Sequence, residues 1–113
     1  MRLEAKKYLY DIAEAARLIA DFTAGKAFTD YEGDAMLRSA VERQFAIVGE
    51  ALALMARLDE LLAELITEYR RIITFRNVLA HGYIYIDDRI VWDIVESKLP
   101  TLRREAAALL EET

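Results

Sequence analysis

The chain has 113 residues, which suits one domain spanning 1–113 and leaves too little for two. Hydrophobic residues make up 55% and charged residues 31%, a balance that excludes intrinsic disorder, and the lack of cysteine excludes disulfides and thiolate zinc sites. The formal charge of −5 excludes a broad polyelectrolyte surface for nucleic acid and leaves room only for a local basic cleft.

One proline and four glycines give little turn punctuation, so long helices are expected rather than sheets. A first helix is predicted over Leu3–Thr23, where Tyr8, Ile12, Ala15, Ile19 and Phe22 form an apolar stripe. Gly25 then suits a left-handed cap. Residues 26–33 read as a connection plugged by Phe28, with Thr29 and Glu32 at capping-box spacing and Asp30 or Asp34 as alternative caps. The second helix is the longest, from Asp34 towards Leu58, with Leu37, Val41, Phe45, Val48, Leu52 and Met55 as its main stripe. Gly49 sits inside it. An interior glycine costs about 1 kcal/mol against alanine, so the close approach of another backbone is the reason to expect it there.

Helical character continues to Ile66, with a break near 65–67 and Thr67 as a cap. A third helix carries Tyr69, Ile72, Ile73, Phe75, Val78 and Leu79 to His81, and Gly82 ends it. Residues 83–87 read as an extended crossing, and one such segment builds no sheet. Asp87 or Asp88 caps a last helix with Ile90, Val91, Ile94 and Val95 on one stripe, and Pro100 kinks it or starts another. The expected fold is all-α, an up-and-down bundle of four to five helices that dimerises through its long helices. No apolar run approaches the roughly 20 residues of a membrane span, and the segment after Met1 does not read as a signal peptide. The expected location is cytoplasmic.

The chemistry is concentrated in Arg76-Asn77-Val78-Leu79-Ala80-His81-Gly82-Tyr83, which holds the chain's single histidine. On a helix, Asn77 and His81 are one turn apart and about 40° from each other around the axis. Arg76 lies about 140° from His81, within reach of a long side chain near a helix end. An imidazole titrates near neutrality and so moves protons at working pH. A guanidinium grips phosphate by a bidentate contact. The trio therefore suits phosphodiester cleavage without a metal, with arginine and amide holding the phosphate. His81 would serve the attacking 2′-hydroxyl or the leaving 5′-oxygen. The bland reading stays open beside this one: His81 in a last helical turn also suits the helix dipole, and Arg76 can be a surface charge. A metal site is not expected from one histidine without a neighbouring carboxylate ligand. Cleavage of this kind uses two proton carriers, and a symmetric dimer would supply the second.

Arg76, four residues, His81, one residue and Tyr83 resemble the Arg-x4-His-x-Tyr motif of HepT-like toxins in the HEPN superfamily of ribonucleases. The run from Ala40 to Ala51 is similar to that family's second-helix signature. Ile86-Asp87, Ile90-Val91-Trp92 and Leu99-Pro100 with Leu102 are similar to its C-terminal pattern. One departure is Thr67-Glu68-Tyr69, where the family often carries proline and tryptophan. The resemblance implies a homodimeric endoribonuclease that needs no cofactor, and a cognate nucleotidyltransferase antitoxin. It implies cleavage by Arg76 and His81 with Asn77 beside them, and transfer of AMP to Tyr83, with Tyr85 a poorer acceptor. An anionic nucleotide on Tyr83 would block the cleft and repel an RNA phosphate. Arg43 and Glu50, seven residues apart on one helix face, are expected to support the site and to pair, or to brace a dimer seam. The alternative is a catalytically silent helical adaptor that positions the nucleotidyltransferase. A plain bundle without phosphate chemistry is the third reading.

Overall fold

In the computed structural model, which describes residues 1–81 and 86–112, every regular element among the described residues is a helix. Five of them run ten residues or more: α1 (Leu3–Thr23), α3 (Ala35–Leu58), α5 (Tyr69–His81), α6 (Asp88–Ser97) and α7 (Leu99–Glu111). Two short ones, α2 (Phe28–Glu32) and α4 (Glu60–Ala63), fill the connections. The core forms where α1, α3 and α7 bring their apolar stripes together, with α6 closing one end.

Helix α1 has the expected bounds; of its expected stripe Ile12, Ala15 and Ile19 are buried, whereas Tyr8 and Phe22 are half-buried and Leu9 and Ala16 take the inward places beside them. Gly25 follows it with φ +72°, the left-handed conformation that ends a helix without a Cβ penalty. Thr23 is buried but satisfied, since its hydroxyl donates to the Ile19 carbonyl at 2.8 Å. In α3 all six residues of the expected stripe are buried. Asp34 caps this helix by accepting from the Leu37 amide at 3.1 Å. Asp34→Ala is expected to lose about 1 kcal/mol of stability, as N-cap removals do, read as a lower urea midpoint at unchanged slope.

The connection after α1 differs from the expected one. It coils into α2, whose first turn closes through the Ala27 amide donating to Asp30 at 2.7 Å, so Thr29 and Glu32 do not form the capping box. The buried plug is Tyr31, 5.4 Å from the Trp92 ring, while Phe28 is only half-buried beneath the Arg89 guanidinium, 4.2 Å from its ring centroid. Burial pushes the Tyr31 phenol far above its ordinary range, with the Glu42 and Asp88 charges adding to the effect. Burial likewise raises the Glu42 carboxyl.

Helix α3 ends at Leu58 as expected, and Asp59, whose carboxylate accepts from the Leu62 amide at 3.1 Å, starts the short α4; the expected break near 65–67 follows between Ala63 and Tyr69. Thr67 is tied elsewhere: its amide (2.9 Å) and hydroxyl (2.7 Å) both donate to the Glu105 carboxylate on α7. Asp87 caps α6 by accepting from the Arg89 amide at 2.9 Å. The buried set there is Val91, Trp92 and Val95, and Ile90 is 53% exposed. Pro100 opens α7, where its missing N–H has no helical partner to lose. The Gly82 stop and residues 83–85 of the extended crossing expected at 83–87 lie outside the described residues. No described helix is long and apolar enough to cross a membrane.

Candidate active site on the third long helix

Helix α5 reads YRRIITFRNVLAH, with three arginines, one histidine and no acidic residue, inside a chain of net charge −5. It packs chiefly against α3, and Tyr69 is its one buried residue. Ile72, Ile73, Phe75 and Leu79 are half-buried along the packed side. The opposite side faces solvent, and helical geometry places Arg70, Thr74, Asn77 and His81 along one stripe of it. The low burial follows from the sequence, because arginines and polar residues break the apolar stripe at alternate turns.

The close fit of α5 on α3 is set at Gly49. A methyl there would clash with the Cβ of Arg76 and lie 2.9 Å from its Cγ and 3.3 Å from the Ile72 carbonyl oxygen. Glycine is thus the residue that lets the two helices meet beside Arg76, as its interior position suggested. The next residue, Glu50, accepts from Arg76 Nη2 in an ion pair. Arg76 Nη1 donates to the Asn77 side-chain oxygen at 3.0 Å. Its Nε is buried and has no hydrogen-bond partner among the described residues. A guanidinium offers five N–H donors, so Glu50 and Asn77 leave part of its capacity unspent. Among the described residues the Asn77 amide nitrogen donates to no partner, and its oxygen accepts from Arg76.

His81 ends α5 and is exposed, as is Asn77. Among the described residues His81 makes no side-chain hydrogen bond or ion pair. It is therefore neither sealed in apolar packing nor held by a carboxylate. Arg43 and Glu50 do not form the expected pair with each other. Glu50 turns to Arg76, which approaches across the helix–helix seam, whereas Arg43 stays exposed beside it along a shallow groove between α1 and α3. The one-turn relation of Asn77 and His81 is thus joined to Arg76 through Asn77 and to α3 through Glu50. Tyr83 and Tyr85 lie outside the described residues. Among those described, no three His, Cys, Asp or Glu side chains cluster as metal ligands. The basic doublet Arg70-Arg71 is engaged with Glu60 at 3.7 Å and Glu68 at 3.3 Å.

The arrangement has the parts for phosphate chemistry: a guanidinium with its plane fixed by two neighbours, an amide donor and an exposed imidazole. Sequence reasoning did not find the Glu50–Arg76 contact. The signal that could have found it was Gly49, because a helix-interior glycine marks where another helix comes closest and Glu50 is adjacent.

The model of the family described as "Ribonuclease HepT-like" matches residues 12–109. The chain is 35% identical to the "Probable ribonuclease HepT" of Thermococcus cleftensis over 103 residues, covering 91% of this chain and 93% of that protein. It is 30% identical to the "Putative RNase MJ1380" of Methanocaldococcus jannaschii over 103 residues, covering 90% and 93% respectively. No solved structure matches closely enough to bear on the comparison. A match across nearly the whole chain, with Arg76 and His81 on one solvent-facing helix, makes this chain a member of the HepT-like ribonuclease family.

Proposed function

We propose that the protein is an endoribonuclease that cleaves RNA through Arg76, Asn77 and His81 and needs no metal. The observation that carries this reading is the open face of α5. There Asn77 and His81 are both exposed, and a guanidinium already oriented by Glu50 and Asn77 lies at their side. Arg76 and Asn77 bind non-bridging phosphate oxygens and stabilise the charge that builds on them in the transition state. The 2′-oxygen attacks phosphorus and gives up its proton, the bond from phosphorus to the 5′-oxygen breaks, and that oxygen takes a proton. Each chain carries one histidine, so acceptor and donor come from two chains paired about a twofold axis. Arg43 and Glu50 support the cleft, Arg43 as a cation near the incoming strand and Glu50 by holding Arg76.

In this reading the protein is the toxin of a toxin–antitoxin pair, neutralised when a nucleotidyltransferase moves AMP onto Tyr83. Support comes from the family and from the Arg-x4-His-x-Tyr spacing, which sets a phenol two residues beyond the imidazole. The decisive assay is cleavage of single-stranded RNA by purified protein in excess EDTA, followed on a gel and by size-exclusion mass measurement. Metal-free cleavage by a dimer is expected, and intact RNA at stoichiometric protein sinks the proposal. Incubation with ATP and the cognate nucleotidyltransferase is expected to add one AMP mass or more and stop cleavage. Tyr83→Phe should escape both effects, and a modified phenylalanine variant would move the acceptor elsewhere.

A further inference from the structure

On the flank of α5 away from the His81 stripe, a cavity of about 370 Å³ opens between α5 and the α6–α7 junction. Its volume falls in the range of small-molecule sites rather than packing defects. The interior is apolar. Phe45 and Phe75, in edge contact at 5.6 Å, form one wall, and Ile94, Leu99 and Leu102 form the rest. The mouth carries two cations and one anion: Glu68 lies 3.1 Å from Lys98 and 3.3 Å from Arg71. Arg71 and Lys98 share one carboxylate, so each keeps N–H donors to spare at the mouth of an apolar interior.

That rim is built with some effort. Glu68 holds a left-handed backbone with φ +58°, which costs a side-chain-bearing residue and tends to occur at ligand clamps. Thr67, beside it, is locked by its two hydrogen bonds to Glu105. Neither feature is required by the bundle core, to which residues 67 and 68 contribute nothing buried.

We propose that this cavity is a binding site for a small amphiphilic anion, its ring system seated on Phe45 and Phe75 and its anionic head between Arg71 and Lys98. The site does not depend on the nuclease reading. Because Ile72 and Phe75 of α5 line it, a ligand there would brace the helix that carries Arg76.

Two probes of one shape test the assignment: 1-anilinonaphthalene-8-sulfonate and its uncharged parent, N-phenyl-1-naphthylamine, titrated into the folded full chain and followed by fluorescence. Saturable binding of both is expected, at one molecule per chain for the sulfonate. Ser97→Trp lies at the exposed lip of the cavity and should weaken both probes by about tenfold or more by filling it. Lys98→Glu should weaken the sulfonate by about tenfold and leave the neutral probe within about twofold. Circular dichroism checks that both variants keep the native helix content. Binding that survives Ser97→Trp, equal sensitivity of the two probes to Lys98→Glu, or no saturable binding would each overturn the proposal.

Discussion

His81→Ala is expected to lower the RNA cleavage rate by about 10²–10⁴-fold, the usual worth of a positioned proton carrier, while the unfolding midpoint stays where it is. The two halves of this expectation rest on different facts. His81 is the chain's one imidazole, so no neighbour of ordinary pKa near neutrality can stand in for it. It is also exposed and makes no side-chain hydrogen bond or ion pair among the described residues, so its removal uncovers no cavity and orphans no polar group. Surface changes of that sort usually stay within about 0.5 kcal/mol. A drop in activity matched by a drop in midpoint would mean that the variant reports on folding. Full activity in the variant would hand the phosphate chemistry to other groups and overturn the proposed site.

Gly49→Ala is expected to lower stability by about 2 kcal/mol and to abolish most cleavage in the folded fraction. Propensity alone argues the other way, because alanine in a helix interior gains about 1 kcal/mol over glycine. Packing decides. The new methyl would clash with Arg76 Cβ, an atom fixed to the backbone that no rotamer change moves aside. Helix α5 must therefore shift off α3, and overpacking of this kind costs about 1–3 kcal/mol, occasionally more. The same shift draws Arg76 away from Glu50, so the phosphate-holding group loses its orientation. Urea denaturation and RNA cleavage on the same preparation check both effects. A raised midpoint would show that α5 does not bear on Gly49.

The two longest helices were legible because a stripe at three- and four-residue spacing has one good solution. In α3 each of Leu37, Val41, Phe45, Val48, Leu52 and Met55 faces inward. The short connections were not. Tyr31 rather than Phe28 is buried because Trp92 of α6 lies over it, and that contact joins residues 61 positions apart in sequence (92 − 31). In the last stripe, Trp92 takes the inward place given to Ile90, since ten residues of α6 present two overlapping apolar faces and packing on α2 and α7 chooses between them. Thr67 read as a cap because a threonine oxygen accepts from local helix amides, but its amide and hydroxyl instead donate to the Glu105 carboxylate on α7. At the site, the residue types and their helical spacing were readable from Arg76 to His81. The Glu50–Arg76 pair was not, because it spans 26 positions and helical spacing only relates neighbours.

Helix α5 leans on a single long neighbour and buries little of itself, while the bundle core is completed by α1, α3 and α7. The groups assigned to chemistry are therefore carried by an outrigger rather than by the hull. Changes along its solvent side can retune the reacting surface at small thermodynamic risk, which leaves substrate preference free to diverge among relatives that share one interior.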